Sequence, residues 1–437
     1  MNGFKKFLVK FLVVVFALST FTSVFVPNKP VMAAKKVTVT WMNWANPGER
    51  ERFVKFNQDF MKKNPDIELK YITVSSDYGP KLLTQLASNT APDAFYIGDT
   101  DIRKAIHSGK LEVLDKYFGT GKVNLKKEDF NSVLFRVAEK DGKTYGIPVD
   151  CNPMAIYYNN TIIKKLGFES PKALYDKGQW TWDNFYKIAK AAKAKGYYGF
   201  VLDSGWFGPV LPWFAAAKKD GSEPILTDYA TKTYKINNPD NVEAVKFLVK
   251  GIKDKAFVYG GSLPQGQGSD AMFLTGRLAF GAWGRWQVPN FKKVKSFEWD
   301  VVPYPTKYGN KDAKTYIAQA WMSMSSSAKN KEATWRFIAA FNNKDGQYFR
   351  LQGQGNAVPS IRGIDKIVTE DKVPAFAEIF LKGRENGFPV DMYPGEVSVQ
   401  TQVLQDLEKI WVLQADPVVQ LNKIAKYVTD TYKKSLK

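Results

Sequence analysis

The chain is poor in the residues that most often carry reactive chemistry. Among 437 residues it has one cysteine, Cys151, and one histidine, His107. A lone thiol excludes an intrachain disulfide and a cysteine zinc cluster. A lone imidazole excludes a multi-histidine metal site and counts against a Ser-His-Asp triad, since His107 lies in "AIHSGKLEVL", where a helix ends at a Gly stop. A surface or capping role explains it. Cys151 reads as a buried strand residue rather than a reactive thiol. Neither a metal nor a cofactor is called for. Internal repeats and low-complexity linkers are absent too, and beyond the N-terminus no run is long and apolar enough to span a bilayer. Acidic residues are scarce against basic ones, 43 against 63, for a net charge of +20.

What is present begins with a leader-like segment. Lys5, Lys6 and Lys10 form a basic front, Phe11 to Val26 is apolar, and "VMA" at 31–33 supplies small residues for cleavage. This is the layout of a secretory signal peptide over 1–33. A retained membrane anchor is the alternative, and the apolar run is marginal for the roughly 20 residues a span requires. The reading predicts export to the periplasm or the cell-wall side of the membrane. No cysteine follows the segment, so lipid anchoring is not expected. Cleavage would remove four lysines and leave +16. The remaining lysines are scattered along stretches such as "YKIAKAAKAKG" and "LNKIAKYVTDTYKK", as on solvated helix faces. Nonspecific attraction to an anionic wall fits this; dedicated nucleic-acid binding does not.

The length predicts two or three domains. "KKVTVTWMNW" (35–44) reads as a strand, and Phe53, Phe56, Phe60 and Met61 recur at helical spacing before Asn64-Pro65 stops the run. A strand (67–74), a helix and a short buried strand (94–99) follow, the alternation of a parallel α/β sheet. "GKTYGIPVDCNPMAIYYNNTIIKKLG" (142–167) holds two strand-like runs around a polar break at Asp150, Cys151 and Asn152. A helix over 181–196 is capped by Thr181. "SDAMFLTGRLAFGAWGRW" reads as a short helix, a Gly-led turn, then a strand and loop, and the last eighty residues are mostly helical. Two domains without a linker predict that the chain crosses between them more than once.

Seven segments in this order resemble the extracellular solute-binding proteins of ABC sugar importers, the group that includes maltose-binding protein. They are "VTVTWMNW", "APDAFYIGD", "YGIPVDCNPMAIYYN", "TWDNFYKIA", "MFLTGRLAFGAWGRW", "WDVVPYP" and "SSSAKNKEATWRFIAAF". Together they run through almost all of the chain after the leader. The resemblance implies an α/β, two-lobed periplasmic-binding-protein fold of type II, with several hinge crossings and a ligand cleft between the lobes. The crossings would fall near 150–152, 316–319 and 356–359. One lobe would hold 34–150 and 319–356, the other 151–318 and 357–437. It implies a carbohydrate ligand, an ABC permease as partner, a monomer and no catalysis.

A sugar ring offers an apolar C–H face and an equator of hydroxyls, which suit indole faces and planar polar side chains. "GRW" matches the family's Gly-x-Trp loop, which places Trp286 on the sugar; Arg285 departs from the maltose-type Gly-Pro-Trp pattern and leaves an acidic sugar open. Trp283 shares that strand end. Asn43 and Trp44 end the first strand, and Asp99 and Asp101 end the third. Asn152 stands where maltose-binding proteins have an acidic ligand contact. Trp206 lies in the loop "SGWFGPVLPWF", Gln319 and Trp321 follow the second crossing, Gln354 and Asn356 precede the third, and Tyr393 resembles an aromatic that closes the cleft. Asp99 and Asp101 could instead be the carboxylate pair of a secreted glycoside hydrolase. A wall-associated adhesion protein is a second rival, suggested by the positive charge. The abundance of tryptophan, twelve in all, points to an oligosaccharide.

Overall fold

The computed structural model describes residues 36–44, 49–203, 206–264, 267–309, 313–353, 356–390 and 398–435. Ten strands make up its two five-stranded sheets. In chain order they are β1 (Val37–Asn43), β2 (Ile67–Thr73), β3 (Ala94–Gly98), β4 (Ile147–Pro153), β5 (Ala155–Asn159), β6 (Tyr198–Leu202), β7 (Phe257–Tyr259), β8 (Leu278–Trp283), β9 (Trp299–Val302) and β10 (Ile317–Met324).

The first sheet has the order β2-β1-β3-β10-β4 and the second β7-β6-β8-β5-β9. The pairing pattern is the same in both. β1 runs parallel to β2 and β3, and β6 parallel to β7 and β8; the fourth strand of each sheet is antiparallel to both its neighbours. That fourth strand comes from a distant part of the chain. β5 enters the second sheet directly after β4 leaves the first, and β10 returns to the first sheet after β9. The two sheets are therefore woven together at Met154 and between Pro303 and Tyr316. A third pass runs beside Cys151, whose N–H and C=O pair with Val358 at 3.0 and 2.9 Å.

Local sequence explains these elements. Helix Glu49–Lys63 buries Phe53, Phe56, Asn57 and Phe60 on one face, carries Glu49 and Glu51 in its first turn and Lys62 and Lys63 in its last. Both charge placements favour the helix dipole. Helix Trp182–Ala194 begins at Thr181, whose hydroxyl accepts from the Asn184 N–H at 3.3 Å. His107 ends helix Ile102–His107 at the surface.

Each sheet has its own aromatic core. Trp41 stacks on Tyr71 at 4.2 Å and meets Phe53, Phe337 and Phe341. Phe185 packs with Phe200, Trp213 and Phe280 on the second sheet. The C-terminal helices Ser398–Trp411 and Pro417–Ser435 pack on each other and on helix Pro239–Lys253.

The polar break expected at 150–152 is instead continuous strand. Burial alternates along β4: Val149, Cys151 and Pro153 are buried, while Asp150 and Asn152 are partly exposed. Period-2 alternation puts these two polar residues on one face. No helix among the described residues is long and apolar enough to cross a membrane. The leader-like segment lies outside them.

Candidate functional site

The Asp150–Asn152 face of β4 opens onto a cavity of about 310 Å³. Trp44, just past β1, forms one wall and Trp286, just past β8, another, so the two sheets each supply an indole. Asp150, Asn152, Gln319 and Asn356 provide the polar lining, with Glu49 and Tyr96 beside them. Trp44 is braced edge-on by Tyr78 at 5.4 Å and Tyr96 at 5.2 Å. Asn356 donates from Nδ2 to Glu49 Oε1 at 2.9 Å. Four oxygens of the lining residues are buried and have no hydrogen-bond partner among the described residues: Oδ1 of Asn152, Oε1 of Gln319, Oδ1 of Asn356 and the Tyr96 hydroxyl. Buried polar atoms are nearly always satisfied, so these four oxygens are open to hydrogen bonds from water or from a molecule in the cavity.

A second cavity, about 350 Å³, adjoins the first and shares Trp286 with it. Trp206, Trp283, Asp203, Ser269 and Asp270 line it as well. The rings of Trp206 and Trp286 lie 6.2 Å apart and tilted by 60°. Glycines set both rings. A Cβ on Gly284 would come within 2.1 Å of the Trp286 ring and 2.8 Å of Asn152 Cβ, and one on Gly208 within 2.1 Å of the Trp206 ring. The turn that carries Trp286 is tied down by the Tyr157 hydroxyl, which donates to the Gly284 carbonyl at 2.8 Å. Behind Trp206 the Tyr316 ring sits at 6.0 Å, and its hydroxyl donates to the Asp99 carboxylate.

Residues 45–348 match the family described as bacterial extracellular solute-binding protein. The chain belongs to this family. The multiple sugar-binding protein of Streptococcus mutans is 24% identical over 345 residues, 75% of this chain and 76% of that protein. An ABC substrate-binding protein of Listeria monocytogenes, solved in complex with cycloalternan, superposes with a TM-score of 0.77 at 23% identity, covering 91% of this chain and 99% of the other. UgpB from Mycobacterium tuberculosis, in complex with glycerophosphocholine, superposes with a TM-score of 0.75 at 18% identity, covering 92% and 100%. The two-lobed α/β architecture of a periplasmic binding protein is thus established. The fold alone does not select the ligand, because those two neighbours hold different molecules.

In this solute-binding protein the structure brings together Trp44, Asn152, Trp206, Trp286, Gln319 and Asn356, with Trp283 at the edge. Trp283 is 4% exposed and its ring packs against Tyr157, Phe273 and Phe291, so it is a wall of the second cavity more than a free platform. Five expected ligand contacts, Trp321, Arg285, Asn43, Asp99 and Asp101, line neither cavity. Trp321 is 0% exposed, and its indole N–H donates to the Leu134 carbonyl at 2.9 Å inside the first sheet's core. It lies two residues further along β10 than Gln319, which moves it from the strand end into the sheet. Arg285 is 1% exposed and points away from Trp286, donating to the carbonyls of Ala357, Ile367 and Val368. Asn43 is 0% exposed and accepts from the Tyr71 hydroxyl at 2.8 Å, one residue short of the cavity that Trp44 reaches. Asp99 and Asp101 line neither cavity; Asp99 is engaged by Tyr316, and Asp101 heads helix Ile102–His107. Gln354 and Tyr393 lie outside the described residues.

Sequence reasoning missed Tyr96, Asp203 and Asp270 and used Asp150 only as a landmark. Asp203 follows β6 just as Asp99 follows β3, so the strand-end argument applied to "YGFVLD" would have found it. Burial pushes the carboxyls of Asp150 and Asp203 up to about 6. Arg350, 4.0 Å from Asp150, opposes the rise there. At Asp203 the Ser269 hydroxyl, 2.6 Å away, opposes it and the Asp270 charge adds to it. A carboxyl whose folded pKa is raised stabilises the fold below its unfolded pKa and loses that contribution as pH rises through the folded value. Above about pH 6 the Asp203 charge is therefore a cost. Asp203→Asn is expected to raise stability by about 1–2 kcal/mol at pH 7.5 and by almost nothing near pH 4. Urea midpoints at the two pH values test this; an equal shift at both would refute the charge argument.

Proposed function

We propose that the protein captures a carbohydrate, an oligosaccharide in particular, between its two lobes and delivers it to the transmembrane subunits of an ABC permease without altering it. The observation that carries this reading is the shared cavity. Trp44 and Trp286 come from different sheets and face one space with the oxygens of Asn152, Gln319 and Asn356 that have no partner among the described residues. Indole faces take the C–H side of a pyranose, and planar amides take pairs of hydroxyls. Two adjoining cavities of about 310 and 350 Å³ suit a ligand of more than one ring. The printed names of the Streptococcus mutans relative and the Listeria monocytogenes complex agree with a sugar ligand.

The lobes are 34–150 with 319–356 and 151–318 with 357–437 to within a few residues, and the hinge lies where the chain changes sheets, at Met154 and between Pro303 and Tyr316. Contacts made to both lobes favour the closed form, and that differential is what drives closure. Residues 1–33 direct export, no lipid is attached, and the mature protein acts as a monomer. A hydrolase needs two free carboxyls flanking the scissile bond. The Tyr316 bond to Asp99 and the place of both Asp99 and Asp101 outside the cavities argue against these two as such a pair.

Thermal-shift measurements against oligosaccharides of several linkages test the proposal, because a ligand bound only by the folded state raises Tm. At least one is expected to bind saturably and to be recovered intact after prolonged incubation. Cleaved products, or no response to any sugar, would refute it.

A further inference from the structure

We infer that the Trp206–Trp286 end of the cleft seats a positively charged group, so that the carbohydrate taken here carries an ammonium. This rests on the carbohydrate reading above and goes beyond it. The two indoles, 6.2 Å apart and inclined at 60°, form an open V over the second cavity. The face of an indole is negative, and a desolvated cation gains more from it than a hydroxyl does. Asp203 and Asp270 line the same cavity. Asp203 accepts from the neutral Ser269 hydroxyl, Asp270 accepts from the Ala271 N–H, and no ion pair to lysine or arginine is formed by either among the described residues.

Among the described residues, the lining of both cavities contains no lysine or arginine. The neighbouring sequence adds none: residues 204–205 and 265–266 are Ser-Gly and Gln-Gly. In a chain of net charge +20, a cavity with two carboxylates and no lysine or arginine among its described lining residues is not the default of composition; in the first cavity, by contrast, Asp150 has Arg350 at 4.0 Å. The ligand reaches this space from the adjoining cavity, where Gln319 is 8% exposed and its Oε1 has no partner among the described residues. A hydroxyl would satisfy one carboxylate and leave the other's charge uncompensated. An ammonium has three N–H donors and a charge for both, and the indoles add to its hold. Arg285, which had left an acidic sugar open, is turned away from the cleft, so nothing on this wall would offset an anion.

Isothermal titration at pH 7 and low salt with matched pairs tests the inference: glucosamine against glucose, galactosamine against galactose, and the chitosan trimer against cellotriose, with choline as a probe free of sugar. At least one amine is expected to bind on the order of tenfold more tightly than its hydroxyl counterpart. The advantage is expected to shrink in salt and in both Asp203→Asn and Asp270→Asn, with thermal melts confirming that each variant is folded. Neutral sugars binding as well as their amines would overturn the inference and leave carbohydrate capture standing. Aspartate-dependent binding of choline with no response to any sugar would uphold the charge assignment and overturn carbohydrate capture. Silence from every probe would overturn both.

Discussion

Trp286→Ala is expected to weaken ligand binding on the order of 100-fold while leaving the protein folded. Among the described residues Trp286 is the one side chain that lines both cavities, so its removal opens one into the other and takes away a platform from each. It is carried by the short turn Arg285–Gln287 and is half-buried, with only part of its surface against the cores. The stability cost is therefore modest, about 1–2 kcal/mol for a partly buried aromatic. Trp286→Phe should retain part of the affinity, since a smaller flat face remains. Gly284→Ala should mimic the loss without touching the indole, because the new Cβ would meet the ring at 2.1 Å and displace it. Titration with a sugar identified by thermal shift checks all three. An affinity within about threefold of the parent for Trp286→Ala would mean that the shared cavity is not where the ligand sits.

The glycines also show how much of the site was legible. "GAWGRW" and "WFG" each place a tryptophan two residues from a glycine, and in the folded protein Trp286 and Trp206 lie over Gly284 and Gly208. The spacing was visible; its cause, a ring folded back over its own backbone, needed coordinates. The helices and strands were legible wherever one face is buried, as at Phe53, Phe56 and Phe60 or at the alternation in β1. The two lobes and their crossings came from family resemblance and not from periodicity; the interlocked order of the sheets was not read at all, because no local pattern says that β10 should lie between β3 and β4. Depth along a strand was the hardest quantity to read. Asn43 and Trp44 are neighbours, as are Gln319 and Trp321 within two residues, yet one of each pair reaches the cleft and the other is sealed. A residue near a strand end gains or loses the cleft with one step of about 3.3 Å, finer than element boundaries can be placed from sequence.

Arg285, beside Trp286, carries the opposite expectation. Arg285→Ala is expected to destabilise the fold by about 3–4 kcal/mol. Its guanidinium is sealed inside the protein, with Nη1 on the Ala357 carbonyl at 3.0 Å and Nη2 on those of Ile367 and Val368 at 3.3 and 3.1 Å. Burial pushes its pKa down to about 10, with Tyr157, Asp371 and Glu370 pulling it back, so it stays charged at neutral pH. Alanine would leave three buried acceptors without a donor, each worth about 1 kcal/mol or more, and a cavity the size of the lost side chain. Arg285→Met would refill most of the volume and leave the acceptors unpaired, so it should recover part of the loss. Arg285→Lys keeps the charge, but one ammonium cannot reproduce the planar fork across carbonyls on two segments. The order of urea midpoints should therefore be parent, then Lys and Met, then Ala. Any affinity change should follow the loss of fold, because Arg285 holds the Ala357 carbonyl next to Asn356 and touches the ligand space only through that segment. If Arg285→Ala lost under about 1 kcal/mol of stability yet abolished binding, the guanidinium would belong to the cleft after all.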